Sequence, residues 1–263
     1  MSATNTKHAP GTFSWPELAT SDFAAAKRFY ATLFGWSVQE HDMGGGQMYG
    51  IFKLEGADVG AFYKMRDEEA ARGTPPHWNS FVTVADADQS AAKAKELGAT
   101  VVMEPFDVMD LGRMAVIQDP TGAMFCLWQG MKNNGAGVLN QPGALCWTEL
   151  LTTDPGKARS FYTRLLGWSP EDYPMGPTTY VVFKRGAEAA GGMMKITPQM
   201  GPVPPCWMIY IAVENCDATV AQAVGLGGRI EVPANDVPMA GRFAVLVDPQ
   251  GAHFGVLQPP GQG

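Results

Sequence analysis

The spacing of apolar and polar positions along the chain changes period in a regular order. Phe13 to Ala19 suits a strand. Asp22 then precedes Phe23, Ala26, Tyr30 and Leu33, apolar residues at helical spacing, so it is placed to cap a helix, and Gly35 sits where that helix should stop. β-rich runs bounded by Gly and Asp follow at about Trp36 to Glu40, Tyr49 to Leu54 and Val59 to Lys64. The order recurs from Trp78. A strand is expected over Asn79 to Val84, then an Ala-rich helix near Asp88 to Leu97 stopped by Gly98, then strands near Thr100 to Met103, Met114 to Asp119 and Phe125 to Gln129. Each stretch is one βαβββ unit.

The second half of the chain repeats the first. Trp15, Glu17, Leu18, Thr20, Asp22, Phe29, Tyr30, Leu33, Gly35 and Trp36 recur 132 positions on as Trp147, Glu149, Leu150, Thr152, Asp154, Phe161, Tyr162, Leu165, Gly167 and Trp168. Further along the offset falls to 129: Trp78, Gly112, Arg113, Asp119, Pro120 and Gly122 return as Trp207, Gly241, Arg242, Asp248, Pro249 and Gly251. The lost residues fall around Gly44-Gly45-Gly46, where a glycine-rich turn tolerates a change of length. Four βαβββ units result, in a first domain over 11–131, a linker over 132–142 and a second domain over 143–260. With 263 residues, 46% of them hydrophobic, the chain can fill two cores.

Charge narrows the partners. A net charge of -7, with 19 dispersed basic residues, repels phosphate backbones and anionic lipid, so neither nucleic acid nor membrane is expected. The N-terminal ten residues contain no apolar run, and no later segment approaches the roughly 18 apolar residues of a membrane span, which reads as a cytoplasmic protein without a signal peptide. Cys126, Cys146, Cys206 and Cys216 form no Cys-x-x-Cys pair and are expected to be reduced packing thiols. The sequence leaves monomer and homodimer both open.

The helix end Phe-Tyr-x-x-Leu-(Phe/Leu)-Gly-Trp, at Phe29 and Phe161, and the run Gly-Arg-(Met/Phe)-Ala-Val-x-x-Asp-Pro-x-Gly-Ala, at Gly112 and Gly241, resemble the vicinal oxygen chelate superfamily of glyoxalase I, bleomycin-resistance proteins and extradiol dioxygenases. Two-domain glyoxalase-like proteins of actinobacteria, some labelled hydroxylases, are the nearest in pattern. The resemblance implies an α+β fold in which the tandem units pair into two cup-shaped mixed sheets, with helices on the outer side and ligand on the concave side.

It also implies where a divalent metal would sit. Carrying the four ligand positions over gives Trp15, Gly60 or Ala61, Asn79 and Cys126 in the first half, and Trp147, Gly191 or Gly192, Met208 and Gly255 in the second. A hard or borderline ion asks for imidazole or carboxylate oxygen there. None of these positions supplies either, so no metal cofactor is expected.

Trp15 and Glu17, like Trp147 and Glu149, are two residues apart on a strand and therefore share a face. An indole there can stack on a flat ligand while the carboxylate accepts its hydrogen bonds or acts as a base; plain packing and an internal hydrogen bond would explain the pair as well. Glu17 and Glu149 are the candidate catalytic residues. Tyr49, His77, Asn79, Trp128, Tyr180, Trp207, Met208 and Tyr210 are candidate ligand contacts at the mouths. Arg113 and Arg242 would bind a ligand carboxylate or phosphate, or would pair with Asp107, Asp110 and Asp236. The turns at Asp119-Pro120-Thr121-Gly122 and Asp248-Pro249-Gln250-Gly251 suit turn chemistry alone. These residues support a metal-free binder of a small aromatic or amphiphilic molecule. A metal-dependent or Glu-based lyase, dioxygenase or hydroxylase, and an interaction protein with vestigial cups, stay open beside it.

Overall fold

A computed structural model describes residues 7–71, 73–176, 178–238 and 240–261. The first half runs β1 (Phe13–Thr20), α1 (Phe23–Phe34), β2 (Ser37–Asp42), β3 (Met48–Leu54), β4 (Ala57–Lys64), a short α2 (Asp67–Ala71), β5 (His77–Thr83), α3 (Ala87–Glu96), β6 (Thr100–Val108), β7 (Gly112–Gln118) and β8 (Met124–Gly130). The second runs β9 (Leu145–Thr152), α4 (Pro155–Leu166), β10 (Ser169–Met175), β11 (Thr178–Arg185), β12 (Glu188–Lys195), β13 (Cys206–Ala212), α5 (Cys216–Gly225), β14 (Arg229–Val237), β15 (Gly241–Val247) and β16 (His253–Gln258).

Local chemistry sets the ends of the helices. The Asp22 carboxylate accepts the Ala25 amide at 2.9 Å, and Asp154 accepts that of Lys157 at 3.0 Å, so each long helix begins on a side-chain cap. Gly35 and Gly167 close them in the left-handed region, at φ 68° and 71°, where a Cβ would be strained. α3 starts one residue before Asp88 because Asp86, not Asp88, caps it. β6 continues past Met103 to Val108 through two register shifts against β7, a continuation that Glu104-Pro105 hides in the sequence. α2 has no counterpart among the expected elements.

Each half forms one eight-stranded mixed sheet, ordered β2-β3-β4-β1-β5-β8-β7-β6 and β10-β11-β12-β9-β13-β16-β15-β14. β1 is parallel to β4 and antiparallel to β5, so the two units of a half meet at their first strands. Successive strand residues face opposite sides. Leu18, Trp78, Val82 and Phe62 therefore share one face of the first sheet, and that face belongs to a core that also takes in Leu150, Trp207, Phe183 and Phe254 of the second half.

The two cups accordingly stand back to back, with the helices between them: α1 against α5, and α3 against α4. The Phe13 ring lies 4.7 Å from that of Trp207 and 5.8 Å from that of Trp168. Two reciprocal hydrogen-bond relays cross this core. Trp78 Nε1 donates to Tyr30 Oη at 3.1 Å, and Tyr30 donates to Asp248 Oδ2 of the other half at 3.0 Å. Trp207 Nε1 donates to Tyr162 Oη at 2.7 Å, and Tyr162 donates to Asp119 Oδ2 at 2.8 Å. The other oxygen of each aspartate caps its own turn, accepting the amides of Thr121 and Ala123 or of Gln250 and Ala252. The Asp-Pro-x-Gly runs are thus turns that also receive the opposite domain.

Tyr30→Phe or Tyr162→Phe leaves a buried carboxylate oxygen short of a donor, an expected loss of about 1–3 kcal/mol. Urea unfolding should show that loss while remaining one transition, because both halves share the core that the substitution weakens.

Candidate functional site

The inner face of the first sheet carries the residues of opposite parity. Strand register places Glu17 beside Ala61 on β4 and Asn79 on β5, and Trp15 beside Phe81, which pairs with Cys126 on β8. Tyr49 on β3 faces Tyr63 on β4, and His77 pairs with Ala19 two residues beyond Glu17. The second sheet repeats the layout with Glu149 beside Gly192 and Met208, Trp147 beside Tyr210, and Tyr210 beside Gly255. Of the alternatives counted for the third strand position, Ala61 and Gly192 face inward, while Gly60 and Gly191 face the helices.

The recurrent tryptophan and glutamate converge on one tyrosine. Tyr180 reaches over β12 to donate to Glu149 Oε1 at 2.8 Å, and Trp147 Nε1 donates to the Tyr180 hydroxyl at 2.8 Å. Tyr49 reaches over β4 to donate to Glu17 Oε2 at 2.6 Å, with Trp15 on the same face of β1. The strand that the tyrosine crosses must carry a small residue. A Cβ built on Gly192 would lie 1.9 Å from Tyr180 Oη and 2.9 Å from Trp147 Nε1, so any side chain there displaces the tyrosine hydroxyl from this position, whereas the first cup carries Ala61 under Tyr49.

The two cups differ in what they cover. In the first, Trp15, Phe81, Cys126 and Trp128 form a packed inner cluster with Ala136 of the linker, and Trp15 is 7% exposed. The linker is held there by the Ala136 amide on the Ser14 carbonyl at 2.7 Å, the Gly137 amide on the Asp58 carbonyl at 2.7 Å, and Trp128 Nε1 on the Asn133 carbonyl at 3.0 Å. In the second cup Leu257 stands where Trp128 does. There Trp147 is half-buried and Glu149 is buried; in the first cup Trp15 is buried and Glu17 is half-buried.

Their carboxylates differ too. Glu149 is satisfied at both oxygens, since Tyr210 donates to Oε2 at 3.0 Å. Phe81 occupies the Tyr210 position in the first cup and has no hydroxyl to offer. Burial pushes the Glu17 carboxyl up from 4.5 to about 7, against the lowering hydrogen bond of Tyr49, and nearby Glu69 raises it further. Burial also raises Glu149, and Tyr180 and Tyr210 pull it back. Burial pushes Cys206 up to about 11 and Cys146 to about 12, and raises Cys126 as well, which keeps these thiols protonated and inert.

The structure therefore brings Trp15, Glu17, Tyr49, His77, Asn79 and Trp128 to one inner face, and Trp147, Glu149, Tyr180, Met208 and Tyr210 to the other. Three expected contacts lie elsewhere. Trp207 is one residue out of phase with Met208 and Tyr210, so it points into the shared core. Arg113 and Arg242 turn to the helix side: each holds a bidentate pair, with Asp88 of α3 or Asp217 of α5, and a further bond to Asp107 or Asp236. His77 sits at the rim with Nδ1 2.9 Å from the Pro75 carbonyl, a contact that requires the proton on Nδ1. Tyr63, paired with Tyr49 across β3 and β4, is an inner-face residue the sequence reading missed; its parity with Ala61 on β4 was the available signal.

The donor set does not suit a divalent metal. Trp15, Ala61, Trp147 and Gly192 offer no lone pair for one, Cys126 is held as a thiol, and among the described residues no group of three or more His, Cys, Asp or Glu stands close enough to share an ion.

A profile of the Glyoxalase/Bleomycin resistance protein/Dioxygenase superfamily matches residues 12–127 and again 144–256. The chain belongs to that superfamily. Its curated relatives include a mycobacterial protein named "Putative glyoxylase CFP32", from Mycobacterium bovis and Mycobacterium tuberculosis, 42% identical over 254 residues that make up 96% of either chain. The anthracycline biosynthesis protein DnrV of Streptomyces peucetius is 36% identical over 263 residues, covering 96% of this chain and 95% of DnrV. Among solved structures, the Mn(II)-bound glyoxalase from Novosphingobium aromaticivorans matches with a TM-score of 0.67 at 18% identity, over 95% of this chain and 83% of that one. A homoprotocatechuate 2,3-dioxygenase variant from B. fuscum matches with a TM-score of 0.66 at 15% identity, over 97% and 73%. These two share the superfamily fold with this glyoxalase-like chain. Among the described residues no helix is long and apolar enough to cross a membrane.

Two substitutions check this site. Gly192→Ala should push Tyr180 off Glu149 and break its bond from Trp147, lowering Tm and changing tryptophan fluorescence. For Glu17, the native carboxyl keeps its proton to a higher pH than the unfolded one. Its contribution to stability is therefore fully present below 4.5 and is lost as pH rises towards about 7. Glu17→Gln should flatten that part of the stability-pH curve and leave the variant more stable than wild type above it, as read by urea midpoints across the window.

Proposed function

We propose that this superfamily member binds a small, flat organic molecule on the inner faces of its cups, without a metal. The observation that carries the reading is the half-buried Trp147: an indole face on the inner side of the second sheet, its N–H already bound to Tyr180, beside a carboxylate already satisfied by two hydroxyls. Such a surface offers stacking and apolar contact, which select for planar ligands. Met208 beside Glu149 adds an adaptable apolar wall. The name of DnrV places that relative in anthracycline biosynthesis. The inner-face donor set supports the metal-free part.

A second reading has one observation in its favour. Glu17 is half-buried, pushed up to about 7, and among the described residues accepts from Tyr49 alone, as a carboxylate base would in an enzyme of the same superfamily.

Thermal shift against a panel of planar aromatic compounds tests the first reading. A ligand that raises Tm in wild type should lose that effect in Trp147→Ala, and prior chelator treatment should leave it intact. Binding restored only by adding zinc, manganese or iron would refute the metal-free part.

A further inference from the structure

The two inner faces carry matching rows of side chains across their strands, and the rows differ in what lies on them. In the first cup Trp15, Phe81 and Cys126 form a row over β1, β5 and β8 with Trp128 beside it, and all four are buried. In the second, Trp147, Tyr210 and Gly255 form the row over β9, β13 and β16, with Leu257 in the place of Trp128 and Phe243 next to it. There Trp147, Leu257 and Phe243 are half-buried.

A segment of the chain itself covers the first row. Ala136 of the linker is fully buried among Trp15, Phe81 and Trp128, and Leu139 packs against the same cluster. Backbone bonds pin it: the Ala136 and Gly137 amides donate to the Ser14 carbonyl of β1 and the Asp58 carbonyl of β4, both at 2.7 Å. His8 Nε2 adds a tie from the other side, 2.7 Å from the Ala136 carbonyl. Gly135 permits this close approach, since its φ is 107° and a Cβ on it would lie 2.8 Å from the Ser14 carbonyl oxygen.

We infer that the linker is the resident occupant of the first cup, so that the chain takes one small ligand, an uncharged planar aromatic, on the Trp147 face of the second. The inference rests on the reading that the cups take flat organic molecules, and it gives that role to one of them. A guest for the Trp15 row would have to break the two linker bonds and expose Ala136 and Leu139, whereas Trp147 already meets solvent. The surface around Trp147 is aromatic, with the Tyr210 and Phe243 rings 6.3 Å apart. Its chemistry sets the charge of the guest. Both Glu149 oxygens are taken by Tyr180 and Tyr210, Met208 lies beside them, and Arg242 is paired with Asp217 and Asp236 on the helix side. A cationic ligand finds the carboxylate engaged, and an anionic one finds no partner among these side chains.

The probe is 1-aminoanthracene, planar and uncharged at neutral pH, added to protein carrying 5-fluorotryptophan at its seven tryptophans. Wild type should bind one equivalent and shift the Trp147 fluorine resonance while leaving that of Trp15 in place. Anthracene-9-carboxylate should bind at least about tenfold more weakly, because Tyr210, Met208, Phe243 and Leu257 give its charge no cation to pair with. Without any ligand, a soluble nitroxide should broaden the Trp147 resonance and spare that of Trp15. Gly135→Ala, which forces the linker from Ser14, should broaden Trp15 as well and admit a second equivalent of probe. Two equivalents in wild type, a shift at Trp15, equal affinity for the carboxylate, or a Gly135→Ala variant with Trp15 uncovered and one equivalent bound would each overturn the inference and leave the binding reading intact. If the probe does not bind at all, the binding reading fails for it, and the nitroxide then decides: equal broadening of Trp15 and Trp147 in wild type overturns the linker's occupancy, and a spared Trp15 upholds it.

Discussion

A carboxylate taken out of water must be met by hydrogen-bond donors, and in this protein a tyrosine hydroxyl supplies one every time. Tyr30 and Tyr162 cross between the halves to Asp248 and Asp119, and Tyr49 and Tyr180 cross a strand to Glu17 and Glu149. The first pair fixes how the domains sit back to back. The second fixes the inner faces of the cups. Tyr30, Tyr162 and Tyr180 each also accept an indole N–H, so Trp78, Trp207 and Trp147 are oriented by the same tyrosines. The opposite burial of the two Trp-x-Glu pairs follows from what else touches them.

In the first cup, the linker supplies that extra contact. Its Ala136 and Leu139 complete an apolar floor with Trp15 and Trp128, and the floor shields the indole while leaving the carboxylate towards the rim. The second cup differs in its side chains. Tyr210 in place of Phe81 then gives Glu149 its second donor, and Gly255 in place of Cys126 lets the Tyr210 ring lie over the strand, since a Cβ there would come within 2.1 Å of it. These two exchanges give the two carboxylates different hydrogen-bond partners.

The repeat, the helix caps at Asp22 and Asp154 and the left-handed stops at Gly35 and Gly167 were legible because each is a local rule, satisfied within a few residues. Most strands were legible for the same reason. β6 was cut short because its register shifts place Glu104 and Pro105 inside a ladder that only β7 explains. Trp207, Arg113 and Arg242 were expected at the mouths, yet strand parity alone sends Trp207 to the face opposite Met208. The arginines were legible in part: their aspartate partners Asp107 and Asp236 were within sight, but the bidentate partners Asp88 and Asp217 sit on helices whose approach a sequence does not show.

The sequence alone determined the superfamily, the four units, and the recurrence of tryptophan and glutamate on one strand face, because periodicity and spacing are properties of the chain itself. Only the tertiary structure decided that both glutamates are bound by tyrosines two strands away, that Tyr210 adds a second donor to Glu149, and that the two domains share their outer faces. Those outcomes depend on which strands become neighbours and on how much water the packing excludes, and neither quantity exists until the sheets have closed.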